Sequence, residues 1–171
     1  MALKNTSFIS KSTSNRPWLI IIAAVLIALN TLRIAALTFA LRAAAGTIPP
    51  TFLVSGVGDF LAGITAPVVA WLLIRRPSFA SWLAGVVWIV YSFADFVFVN
   101  SANYLATGLV PNNSGALVPA GPTYLLSLLA FVTVTHMAMF MLLSMPRVRA
   151  YVGVGQTDRT GWTPEQVDKP A

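Results

Sequence analysis

The chain is 171 residues long, 57% hydrophobic and only 9% charged, with a mean hydropathy of +0.76, a profile that excludes an ordinary soluble domain. Its net charge of +6 and pI near 10.3 would suit a nucleic-acid binder, but in so apolar a chain the basic excess reads as a membrane-topology signal, with the lipid bilayer and no nucleic acid as partner. The absence of cysteine excludes disulfides, thiolate metal sites and thiol redox chemistry.

The expected fold class is all-α: a polytopic integral membrane protein built as a four-transmembrane-helix bundle with both termini cytoplasmic. Residues 1–16 read as a basic cytoplasmic N-terminus. The transmembrane domain, 17–145, holds four segments at about 17–41, 52–74, 78–100 and 122–145, each reaching the length of about 20 apolar residues that a span requires. Pro17 and Pro122 suit a first helical turn, where the missing N–H costs nothing, and Pro146 follows the fourth segment, where it helps to stop it. The first segment precedes a small-residue run, Ala43 to Gly46, but its apolar core is too long for a cleaved signal. Between the second and third, Arg75-Arg76-Pro77-Ser78 is a tight basic turn that makes those helices an antiparallel hairpin.

Lys4, Lys11, Arg16, Arg75, Arg76, Arg147 and Arg149 fall on one side of this arrangement and only Arg42 on the other, which places both termini in the cytoplasm and the protein, as a multi-pass component, in the cell (inner) membrane. The opposite loop, from Ser101 to Gly121, carries no charge. Its Tyr104, Leu105, Leu109 and Val110 read as interfacial anchors or a partial lid, and Asn112-Asn113-Ser114 matches a glycosylation acceptor. Residues 146–171 form a polar cytoplasmic tail, in which Thr163-Pro164-Glu165 has the chemistry of a helix start and Trp162 could rest on the interface or a partner.

Three charges lie inside the apolar segments: Arg33, Asp59 and Asp95. At 1.5 Å per residue from the cytoplasmic edge they sit at heights of about 22, 20 and 25 Å, all in the outer half of a hydrocarbon core about 30 Å thick, so an Arg–Asp–Asp cluster is geometrically available. Polar neighbours share their faces: Asn30 with Arg33, Ser55 with Asp59, and Trp88, Tyr91 and Ser92 with Asp95. On the second segment Ser55, Asp59, Ala62 and Ala66 form a small-residue face for close helix approach, and Pro67 predicts a kink by depriving the Gly63 carbonyl of its donor.

The cluster has three readings. Arg33 could bridge the carboxylates and pin helices together. Alternatively, one Arg against two Asp leaves a formal −1, which a proton or cation would balance, as at the coupling site of a transporter. In the third, the charges face a partner subunit. His136, the only histidine, is expected nearer the cytoplasmic side, as a packed histidine hydrogen-bonded to backbone or hydroxyl, a proton relay, or a ligand to haem or a pigment. The methionines beside it read as flexible packing.

No zinc-binding pair, phosphate loop or nucleophile elbow is present, so neither a catalytic residue nor a metal site is expected. Two buried aspartates on adjacent helices make the chain resemble intramembrane aspartic proteases, but their Tyr-Asp and Gly-x-Gly-Asp motifs are matched only by Gly56-Val57-Gly58-Asp59, and Asp95 follows Ala94. The expected function is that of a non-enzymatic integral membrane protein: a small structural or accessory subunit or oligomer-forming component, in a homo-oligomer or larger complex, without a cofactor. The alternative is a small homo-oligomeric proton- or cation-coupled transporter.

Overall fold

The computed structural model describes residues 17–112 and 116–154. Four helices are long and apolar enough to cross a membrane: α1 (Trp18–Ala44), α2 (Thr51–Arg75), α3 (Phe79–Thr107) and α4 (Pro122–Ser144). A two-stranded antiparallel ribbon, β1 (Leu109–Pro111) with β2 (Leu117–Pro119), joins α3 to α4, and a short helix, α5 (Pro146–Tyr151), follows α4. Lys4, Lys11, Arg16, Trp162, Thr163 and the Asn113-Ser114 part of the acceptor tripeptide lie outside the described residues.

The long helices close a ring in chain order: α1 packs on α2, α2 on α3, α3 on α4, and α4 returns to the first half of α1. The turn between α2 and α3 is held by a capping box, in which Ser81 N–H donates to Ser78 Oγ at 3.2 Å and Ser78 N–H donates to Ser81 Oγ at 2.8 Å. That turn, the start of α1 and the end of α4 share the hairpin end of the bundle. The ribbon marks the other end.

The hairpin end is an aliphatic core. Ile20, Ile27, Leu73, Met139 and Leu143 are fully buried among small residues such as Ala24 and Ala66. Gly85 lets α3 approach so closely that a Cβ there would lie 3.1 Å from Leu143 Cδ1 and 3.3 Å from Leu73 Cδ1. Trp82 Nε1–H, donating to the Leu143 carbonyl at 2.9 Å, ties α3 to the last turn of α4.

Several boundaries differ from the sequence reading. The first helix continues past Leu41 to Ala44, and the third passes Asn100 to end at Thr107, where Gly108 adopts φ 67° as its left-handed cap. Residues 101–107 are therefore helical rather than loop, and Tyr104 and Leu105 belong to α3. The ribbon is a β element in a fold expected to be all-α, held to α3 by Tyr104 Oη donating to the Ala120 carbonyl at 3.2 Å. Beyond Pro146 the chain turns into α5 instead of leaving as a tail, because proline stops one helix and equally well opens the next; Val148 is fully buried against the bundle. α2 stays helical through Pro67, with Thr65 Oγ–H and Trp88 Nε1–H donating to the Leu61 and Ala62 carbonyls in the turn before it, at 2.6 and 3.2 Å.

Two helices change their winding towards the ribbon end. Asn30–Ala36 of α1 is a 3₁₀ stretch, and Asp95–Asn100 of α3 is a π stretch. The first lies where α1 and α2 touch backbone to backbone: a Cβ on Gly63 would be 2.6 Å from Ile34 N, and one on Gly56 2.6 Å from Ala40 N. A narrower helix suits that approach. At its start, Asn30 Nδ2–H donates to the Leu26 carbonyl at 3.0 Å, drawing that carbonyl out of the regular ladder.

Candidate functional site

The irregular stretches bring the three charges together. Arg33 sits within the 3₁₀ stretch of α1, Asp95 opens the π stretch of α3, and Asp59 lies on α2 between Gly56 and Gly63. Gly58 completes the fit, since a Cβ there would run into the Asp95 carboxylate. The side chains of Arg33, Asp59 and Asp95 are 14%, 16% and 7% exposed, so their partners must come from within the protein.

All five guanidinium N–H groups have such partners. Nε donates to Asp59 Oδ1 at 2.6 Å, and Nη2 donates both to the same oxygen and to Asp95 Oδ2, the latter at 2.8 Å. Nη1 turns to Ser92, donating to its hydroxyl and, at 3.4 Å, to its carbonyl. The Phe96 ring covers the cation at 5.8 Å from Cζ. Arg33 thus binds α1 to α2 and α3 at one level.

The fourth helix joins through Ser92, whose Oγ lies 3.1 Å from His136 Nε2, while His136 Nδ1 lies 2.8 Å from the Val132 carbonyl. A carbonyl only accepts, so Nδ1 carries a proton; Ser92 Oγ accepts from Arg33 and can donate its own O–H to an unprotonated Nε2, the arrangement of a neutral imidazole. The sequence reading set His136 below the cluster as a separate feature. It belongs to the same network because Ser92, three residues before Asp95 and so about 4.5 Å nearer the hairpin end, supplies the step. To ligate iron, Nε2 would have to give up Ser92. Among the described residues no three His, Asp or Glu side chains gather at metal-binding spacing.

The supporting residues divide. Tyr91 Oη donates across to the Gly58 carbonyl at 3.2 Å, and Ser92 is the hub just described. Asn30 bonds its own helix and no member of the triad. Ser55 belongs to a second link nearer the ribbon, accepting from Asn103 Nδ2 at 2.7 Å. Asn103, buried on the extension of α3, was missed because the residues after Asn100 read as loop. Gly56 and Gly63, which set the α1–α2 approach, were also missed; their seven-residue spacing on one helical face was the available signal.

Two cavities flank the network. A cleft of about 490 Å³ runs between α1 and α4, walled by Leu26, Leu29 and Phe131 and reaching Arg33 and His136. On the other side a cavity of about 210 Å³ lies between α1, α2 and α3 and reaches Asp59, Ser55 and Asn100.

Residues 13–144 match the family described as a domain of unknown function, DUF8737. The chain belongs to that family. The DUF8737 match takes in all four long helices and every residue of the network, and ends with α4 at Ser144. No curated protein and no solved structure matches the chain.

Proposed function

We propose that the protein is a non-enzymatic multi-pass component of the cell (inner) membrane, with both termini cytoplasmic, whose Arg33 network is a structural cross-link in a small accessory or oligomer-forming subunit. Membrane insertion is supported by the exterior, where Leu32 of α1, Phe98 and Leu105 of α3 and Phe131 of α4 are each at least 69% exposed, a surface that water would not tolerate and lipid would. The basic hairpin turn at Arg75 and Arg76 and the start of α5, with Arg147 and Arg149, share one end and support the orientation.

The observation that carries the cross-link over proton coupling is the position of Arg33 within the network. Among the described hydrogen bonds, the route from the carboxylates to His136 passes through the guanidinium and then Ser92. Arginine does not give up its proton in proteins, so a guanidinium between an acid and a base blocks a proton wire. Its saturated donors are those of a fastener.

Two experiments test this reading. Asn113→Cys should react with an impermeant thiol reagent added outside intact cells, and Ser14→Cys and Thr157→Cys should not; labelling of either terminus would overturn the topology. For the cross-link, purified protein goes into liposomes carrying a pH-sensitive dye, with Asp59→Asn and Asp95→Asn compared at matched folded amounts. Any associated activity should fall only with the amount of folded protein. A well-folded mutant that loses a wild-type proton flux would establish the coupled transporter instead.

A further inference from the structure

One guanidinium faces two carboxylates, a formal −1 when both are ionised. Arg33 takes Asp59 through Oδ1 alone, so Oδ2 stays outside its grip, and Asp59 lines the cavity of about 210 Å³ between α1, α2 and α3. Two other walls of that cavity are aromatic: Phe39 of α1 and Phe52 of α2, with ring centroids 6.5 Å apart and planes tilted by 37°. Asn100 of α3 also lines it, and its Nδ2 is buried without a hydrogen-bond partner. Pro111 of the ribbon lies at the same cavity.

We infer that this cavity binds a small organic ammonium ion carrying a hydroxyl or carbonyl oxygen, with Asp59 as its counter-ion. A bare metal cation is poorly served here: calcium takes six to eight oxygen ligands, whereas the polar side chains in the lining are Asp59, Asn100 and Ser55, and Ser55 Oγ is already engaged by Asn103 and the Phe52 carbonyl. An alkylammonium ion brings its own apolar surface to Leu32 and Ala36, and ring faces attract such cations. Its oxygen would accept from Asn100, the buried donor that the protein leaves unmatched. The volume corresponds to about seven waters at roughly 30 Å³ each, which limits the ligand to a few carbons. The site and the cross-link share Asp59, and they are told apart by ligand binding on one side and by the stability of the Arg33 mutants on the other.

The test is calorimetric titration of the purified protein in mild detergent at constant ionic strength, with choline as probe. Tetramethylammonium, which lacks the hydroxyl, and dimethylbutanol, the neutral isostere with carbon in place of nitrogen, serve as comparisons. Choline should bind saturably with one site per chain, tetramethylammonium more weakly, and the neutral alcohol not at all. Asp59→Asn should abolish binding. Phe39→Leu, which keeps apolar bulk and all charges, should weaken it about three- to tenfold. If Asp59→Asn fails to fold, the neutral isostere and Phe39→Leu decide. Absence of saturable choline binding by folded wild-type protein, equal binding of the alcohol, or an unchanged affinity in Phe39→Leu would overturn the site. None of these results would touch the cross-link, which is judged by the stability of its own mutants.

Discussion

At the hairpin end the helices meet by shape. Leu73, Met139 and Leu143 interlock with Ile20 and Ile27, and the polar contacts of Ser81 and Trp82 there serve the ends of helices. At the ribbon end they meet by hydrogen bonds: Arg33 to Asp59, Asp95 and Ser92, Asn103 to Ser55, and Tyr91 to the Gly58 carbonyl. In the bilayer proposed above, lipid tails compete on nearly equal terms for an aliphatic surface, so close fit has to hold the first end, whereas polar groups at the second have nowhere else to go. Loss of fit costs in proportion to the void. Loss of a charge partner leaves a group that the interior cannot accommodate.

The largest expected effect follows from that asymmetry. Arg33→Ala strands two carboxylates and should cost about 3–5 kcal/mol in thermal unfolding in detergent. Adding Asp59→Asn or Asp95→Asn should return part of the loss, so that the double mutants are less damaged than the sum of the singles. Strict additivity in both pairs would mean that the charges are not coupled. Next comes Leu143→Ala at the aliphatic end, about 2–4 kcal/mol from the void it leaves, with no rescue by any charge substitution. The smallest effects come from a pair of glycines. Gly63→Ala should cost about 1–3 kcal/mol, because its methyl meets the Ile34 backbone nitrogen at 2.6 Å and backbone cannot yield. Gly85→Ala should change stability by less than about 1 kcal/mol, since its methyl meets Leu143 and Leu73 methyls at 3.1 and 3.3 Å, and alanine's better helix propensity offsets the crowding. Equal losses at the two glycines would mean that the α1–α2 backbone contact yields as readily as the side-chain contact at Gly85.

The hydrophobic lengths were enough to read four helices, because a span is defined by composition over many residues. The meeting of Arg33, Asp59 and Asp95 was legible for a related reason: a charge in an apolar segment needs a partner, and depth along three helices left few choices. Features that depend on a local change of winding were not legible. A count at fixed rise gives no sign of the 3₁₀ turn at Asn30 or the π turn at Asp95, since it assumes one winding throughout. Asn103 was lost with the helix extension that carries it, and α5 because one proline serves two meanings. His136 was placed by its own depth, and nothing in its sequence surroundings pointed to Ser92 as the bridge.

The seven 3₁₀ residues of α1 also set a rotation. In the first half of the helix Ile20, Ala23, Ala24 and Ile27 are buried; in the last turns, Ala40 and Ala43. On a uniform α-helix, advancing about 100° per residue, the second group would point roughly 180° away from the first. Seven steps of about 120° add some 140° of turn, which brings the groups within about 40° of one another. The stretch therefore works as a gear between two half-helices. Relaxed to regular α winding, it would swing Leu41 and Arg42 inward against α2 and turn the alanines outward. Arg33 sits at the middle of that gear, so the bonds that hold its charge also fix the angular phase of everything beyond it on α1.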